Sequence, residues 1–151
     1  MPTGTSRDKI DLSTENKTEK LANKISKKLK QGDIIFVYGE MGVGKTTFIK
    51  YLINDFQKEN KVNQTEITSP TFNILNEYQI NKIKINHYDL FRLKSVKELQ
   101  NLNLFSDSEN SITLIEWPQI IEEKPKNLIE LSFNYEDNHK KRSIKIKGIK
   151  L

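Results

Sequence analysis

The run Gly39-Glu40-Met41-Gly42-Val43-Gly44-Lys45-Thr46-Thr47 carries the residue types that a phosphate cradle requires, at the spacing it requires. Glycines let successive backbone N–H groups converge on phosphate oxygens in a tight turn. A helix starting directly behind them turns its positive dipole end toward the same anion. In such a loop Lys45 supplies a mobile positive charge for the β- and γ-phosphates, and the Thr46 hydroxyl ligates Mg2+. With average residue frequencies the bare pattern arises by chance in about one chain in two hundred, before a strand ahead and a helix behind are required. The competing reading, a purely structural glycine turn, is the weaker one.

A phosphate loop of this kind needs a second acid to hold or orient the metal. Glu116, directly after the apolar run Ile112 to Ile115, is the best placed, because ligands of open α/β sheets gather at the carboxyl ends of the strands. Asp89, in His87-Tyr88-Asp89-Leu90-Phe91-Arg92, follows another apolar alternation and is a second acid for the same edge, suited to orienting water or the metal's hydration shell. Arg92 has two readings, a phosphate contact or an ion pair with Asp89. His87 reads as a packed or hydrogen-bonded residue rather than a base. Thr68-Ser69-Pro70-Thr71-Phe72 lies where a switch loop would sit, with a hydroxyl that senses the γ-phosphate. The alternative is a proline-fixed strand entry with Phe72 in the core. Trp117, the only tryptophan, is either partly exposed beside the nucleotide, a position suited to partner contact, or a core residue.

These side chains need elements to position them. Ile34 to Tyr38 is continuously apolar, as a strand buried on both faces of a parallel sheet should be. Phe48, Ile49, Leu52, Ile53 and Phe56 follow at helical spacing and predict a helix to about Lys58. Upstream, Leu21, Ala22, Ile25 and Leu29 predict an amphipathic helix from an N-cap at Thr18 to a stop at Gly32. Glu59 to Glu66 reads as a connector and Ile67 to Gln79 as an extended segment that turns near Asn81. Ile83, Ile85 and His87 then predict a half-buried strand. Ser95 and Glu98 form a capping-box signature for a short helix through Leu99. Ile112 to Ile115 is a strand closed by Pro118, with a helical turn after it. Leu128 to Phe133 and Ser143 to Ile149 alternate in the strand period around a turn at Glu136 to His139. The fold class expected is α/β: a P-loop NTPase-like three-layer fold with a central, mostly parallel sheet, flanking helices and a C-terminal antiparallel hairpin.

The 151 residues suit one domain, taken as residues 13–151, behind a polar segment 1–12 expected to be a disordered tail or an expression remnant. With 35% hydrophobic and 30% charged residues the chain is polar yet able to close a core. Cysteine is absent, which excludes disulfides, thiolate metal sites and a cysteine nucleophile. No apolar run is long enough to span a membrane, and the opening residues lack the apolar core of a secretory signal. A cytoplasmic location is expected. The net charge of +5 is carried almost wholly by lysine, with arginine only at Arg7, Arg92 and Arg142, and reads as a solvated lysine coat before it reads as a binding surface.

Four blocks together, Gly39 to Thr47, Ser69-Pro-Thr-Phe72, His87 to Arg92 and Glu116-Trp117, resemble the TsaE family of bacterial ATPases, formerly called YjeE, in order and in spacing. The resemblance covers the chain from about Thr18 to the C-terminal hairpin. It implies ATP and Mg2+ as ligands, and a part in threonylcarbamoyl modification of the adenosine beside the anticodon of tRNA. It implies partner proteins TsaB and TsaD, the second of which performs the transfer, with tRNA reached through that complex and with neither membrane nor DNA as a partner. Carried over by position, Gly39, Glu40, Met41, Gly42, Val43, Gly44, Lys45, Thr46 and Thr47 bind the nucleotide. Thr46 and Glu116 hold the metal, Lys45, Asp89 and Glu116 are catalytic, and Thr18 lies near the adenine. Glu40, Met41 and Phe91 depart from the family's common Asp, Leu and Tyr without removing a required ligand.

Three other readings use the same loop. A small-molecule or nucleotide kinase needs several arginines around the transferred phosphate, and Arg92 is the only one between the loop and residue 141. A regulatory GTPase needs an Asn-Lys-x-Asp loop, whereas Asn81-Lys82-Ile83-Lys84 ends in lysine. A non-catalytic scaffold would keep the nucleotide without turning it over. Isolated turnover is expected to be slow, because no arginine finger is evident in the sequence.

Overall fold

The computed structural model describes residues 9–70 and 73–151. Its sheet has seven strands: β1 (Lys9–Asp11), β2 (Ile34–Tyr38), β3 (Leu75–Ile80), β4 (Ile83–Asp89), β5 (Ile112–Glu116), β6 (Leu128–Glu136) and β7 (Lys141–Lys147), in the order β1-β7-β6-β2-β5-β4-β3. The central neighbours β6, β2, β5 and β4 run parallel, and antiparallel partners close both edges. The helices are α1 (Glu15–Ser26), α2 (Lys45–Glu59) and α3 (Val96–Leu102).

Strand β2 explains the layering. Its residues alternate between faces, and both faces are covered. Ile35 and Val37 pack in one core with Leu21, Ile25, Phe48, Ile49 and Leu52 of α1 and α2. Ile34 and Phe36 pack in a second core with Leu90, Leu104, Ile115 and Ile121, with α3 contributing Leu99 and Leu102 at its margin. The three-layer α/β architecture with a C-terminal β6–β7 hairpin is the one expected.

Local details differ. The cap of α1 is Thr14, whose Oγ1 accepts from the Lys17 N–H at 3.3 Å. Thr18, the expected N-cap, is buried inside the first turn, and its hydroxyl reaches the Thr14 carbonyl at 3.5 Å. A polar, outward-facing first turn hides the true start of a helix when the apolar stripe alone is read. The same helix ends at Ser26 rather than near Gly32. Leu29 extends the apolar period from an irregular turn in which its N–H still bonds the Ile25 carbonyl. Of the residues expected in the tail, Lys9–Asp11 instead form β1 on the edge of β7, followed by the buried Leu12. Strand β4 is buried on both faces from Ile85 to Tyr88 rather than half-buried, because the second core covers Tyr88. Helix α3 starts at the expected cap, with Ser95 Oγ accepting from the Glu98 N–H at 3.2 Å, and continues beyond Leu99 to Leu102. Residues 1–8, and Thr71 and Phe72 of the predicted switch loop, lie outside the described residues. Among the described residues no helix is long and apolar enough to cross a membrane.

Phe48 fastens α2 to the hairpin, edge-to-face against Phe133 with ring centroids 5.6 Å apart. Phe48→Ala should therefore cost about 3–5 kcal/mol in urea unfolding at unchanged m-value. A loss below about 1 kcal/mol would show that this junction is not part of the core.

Candidate nucleotide site

The glycine loop joins the end of β2 to the start of α2. Gly39 is held at φ 149°, and a Cβ there would lie 2.9 Å from Val43 Cγ1 and 3.0 Å from Phe133 Cβ, so only glycine lets the loop seat against the hairpin. Gly44 is the N-cap of α2 at φ 116° and brings no side chain to the first turn. The opening N–H groups of α2 therefore remain available to an anion, at the positive end of the helix dipole.

Lys45, the first residue of α2, is buried at 5% exposure. Its Nζ donates to the Gly39 carbonyl and lies 3.8 Å from the centroid of the Trp117 ring. Burial pushes this ammonium below its ordinary value, against a smaller opposite pull from Glu116 and Asp89. Trp117 reaches it through a left-handed backbone conformation, φ 55° and ψ 56°, with its N–H bonded to the Val37 carbonyl at 3.3 Å. The indole is half-buried and leans on Phe91, ring centroids 4.8 Å apart, so it belongs both to the cavity rim and to the margin of the second core.

Parallel pairing of β4 with β5 places Asp89 and Glu116 directly opposite one another at the carboxyl edge. Glu116 is buried, and its Oε2 lies 2.7 Å from His87 Nε2. His87 is thus a hydrogen-bonded residue, in line with its reading from the sequence. Asp89 accepts from Ser69 Oγ at 2.9 Å through Oδ2 and from the Phe91 N–H at 3.0 Å through Oδ1.

These groups surround one cavity of about 420 Å3. Of the residues predicted for the site, Met41, Gly42, Gly44, Lys45, Thr46, Thr47, Asp89 and Glu116 line it. Gly39 and Val43 support the loop from beneath, Glu40 lies on its outer side with Oε2 3.8 Å from His139 Nε2, and Thr18 does not line the cavity. Ser69, Phe91, Arg92 and Trp117 complete the wall, together with Arg142 of β7, which the sequence reading did not assign to the site. Two of the three arginines therefore reach this one cavity. The hairpin touches the loop again where the Tyr135 hydroxyl donates to the Met41 carbonyl at 3.4 Å. The one signal in the sequence that could have pointed to Arg142 was the rarity of arginine in a lysine coat.

Among the described residues no group of three or more His, Cys, Asp or Glu could hold a metal unaided. The donor set instead fits a hard cation shared with phosphate: a hydroxyl from Thr46 and carboxylates from Glu116 and Asp89 around the same space.

Sheet, glycine loop and paired acids define a domain of the P-loop NTPase-like class. Residues 12–144 match the family described as "Threonylcarbamoyl adenosine biosynthesis protein TsaE". The tRNA threonylcarbamoyladenosine biosynthesis protein TsaE of Rickettsia conorii is 40% identical over 131 residues, covering 86% of this chain and 73% of that protein. Its counterpart in Aquifex aeolicus is 32% identical over 133 residues, 88% of this chain and 91% of that one. The crystal structure of YdiB from Bacillus subtilis shares the fold at a TM-score of 0.68 and 22% identity, over 91% of this chain and 82% of that one. The chain belongs to the TsaE family, the one its four sequence blocks resemble.

The lowered pKa of Lys45 has a sign that can be tested. Below its folded pKa the ammonium carries a desolvation cost, and that cost fades as pH rises toward the unfolded value of 10.5. Lys45→Met should raise the thermal midpoint of the nucleotide-free protein at pH 7, with the gain shrinking toward pH 10. A lower midpoint at pH 7 would contradict the assignment of net strain to this charge.

Proposed function

We propose that the cavity binds Mg-ATP and that the chain hydrolyses it in support of threonylcarbamoyladenosine formation on tRNA. The observation that carries the reading is the convergence on one cavity of an uncapped helix N-terminus, the buried Lys45 and two acids at adjacent strand ends. The N–H groups of the loop and of the first turn of α2 receive the phosphates. Lys45 exchanges the Gly39 carbonyl and the indole face for the β- and γ-phosphate oxygens, where its charge is worth more. Thr46 and Glu116 hold Mg2+, which when bound supplies positive charge to the phosphate oxygens. Asp89, its two oxygens tied to Ser69 and to the Phe91 N–H, is fixed in place to orient the attacking water. Thr18 is buried in α1 outside this cavity, so its proposed contact with adenine has little to support it.

Membership of the family supports a reading of the partners. TsaB and TsaD are the proteins on which the nucleotide state acts, in the cytoplasm, and tRNA is reached through them. Half-exposed Trp117 and exposed Phe91 beside the cavity suit a surface whose order depends on the nucleotide. A second reading, γ-phosphoryl transfer to a small molecule or nucleotide, gains from Arg92 and Arg142 at the cavity. Inorganic phosphate as the product, with no phosphorylated acceptor, separates hydrolysis from it.

Lys45→Ala should abolish ATP binding in titration calorimetry. Glu116→Gln should lower phosphate release, alone or with TsaB and TsaD, by about 100-fold while changing ATP affinity far less. Depletion of the protein in cells should remove threonylcarbamoyladenosine from the tRNA nucleosides measured by mass spectrometry. Undiminished modification would refute the pathway and leave the nucleotide site standing.

A further inference from the structure

His87 and Glu116 are among the most deeply buried polar side chains of the protein, at 0% and 2% exposure. They stand on neighbouring parallel strands, two residues beyond Ile85 and Leu114 respectively, so both face the core that α1 and α2 cover. An apolar residue would satisfy that core at position 87 more cheaply than imidazole does. Among the described residues Nδ1 of His87 is buried with no hydrogen-bond partner, and the ring's one polar contact is Nε2 to Glu116 Oε2 at 2.7 Å.

The unpartnered nitrogen discriminates between proton arrangements. An imidazolium would leave a buried N–H on Nδ1 with nothing to accept it, and so would a protonated Glu116 donating to Nε2. Buried N–H groups without an acceptor are rarer and costlier than an unused lone pair. A ring protonated at Nε2 alone, donating to Oε2 of Glu116, avoids that orphan. We infer that His87 is a positioning residue: its Nε2–H pins Oε2 of Glu116 and so holds the carboxylate of this cavity-lining residue in place for the magnesium of the bound nucleotide. The inference rests on the Mg-nucleotide reading of the cavity. It assigns His87 no contact with substrate, and its effect passes through Glu116, as the outer partners of metal-binding carboxylates act.

The full chain has only two histidines, so long-range 1H–15N spectra of histidine-labelled, nucleotide-free protein resolve the ring directly, with His139→Gln identifying the second signal. His87 should carry its proton on Nε2. A ring without a proton on Nε2 overturns the inference without any change at position 87. ATP affinity is then measured by calorimetry with excess magnesium and with EDTA. His87→Leu should cut the enhancement of affinity by magnesium about 10- to 100-fold, leave the EDTA value within about two-fold, and be largely rescued by His87→Gln, whose amide N–H can take the Nε2 position. Full enhancement in His87→Leu, or equal loss in folded Leu and Gln variants, overturns the positioning role. Wild-type protein that binds ATP no better with magnesium than with EDTA overturns the underlying reading of the cavity as well.

Discussion

A positive charge withheld from water is the constraint around which this protein is arranged. Lys45 is buried at the mouth of α2, bonded to a carbonyl and covered by an indole, and its ammonium is less comfortable there than in solvent. The cost becomes intelligible when a phosphate is the partner for which the charge is kept, because a desolvated cation at a helix N-terminus interacts with an anion far more strongly than a hydrated one does. Glu116 and Asp89, close enough to favour the charged form, limit the cost meanwhile.

The fold serves that arrangement through register. Glu116 pairs with Val37 on one side and with Asp89 on the other, so three parallel strands deliver the loop and both acids to a single edge. The antiparallel hairpin then closes the loop from the far side, through Phe133 beneath Gly39, Tyr135 on the Met41 carbonyl and Arg142 in the cavity wall. Removing the hairpin would leave the loop glycines without the surface that makes them necessary.

What the sequence made legible follows from how far apart the cooperating residues lie. Strand β2, the glycine loop and α2 form a contiguous unit whose signals are local, and all three lie where their residues predict them. Glu116 and Asp89 were legible because a strand end is visible as a change from apolar to polar. The His87–Glu116 bond spans 29 positions and depends on parallel pairing that neither segment reveals alone. Arg142 was hidden for a related reason: the β6–β7 turn uses Asp137, Asn138 and His139 at positive φ rather than glycine, so the hairpin register had no sharp marker. Strand β1, only three residues long, is too short for alternation to show.

On binding a triphosphate, Lys45 should leave Trp117 for phosphate. Trp117 is the only tryptophan, so its fluorescence during a titration with Mg-ATP observes that exchange directly. The prediction is a saturable change in emission that is absent in Lys45→Ala. Emission that stays constant while ATP binds, or an identical change in Lys45→Ala, would contradict it.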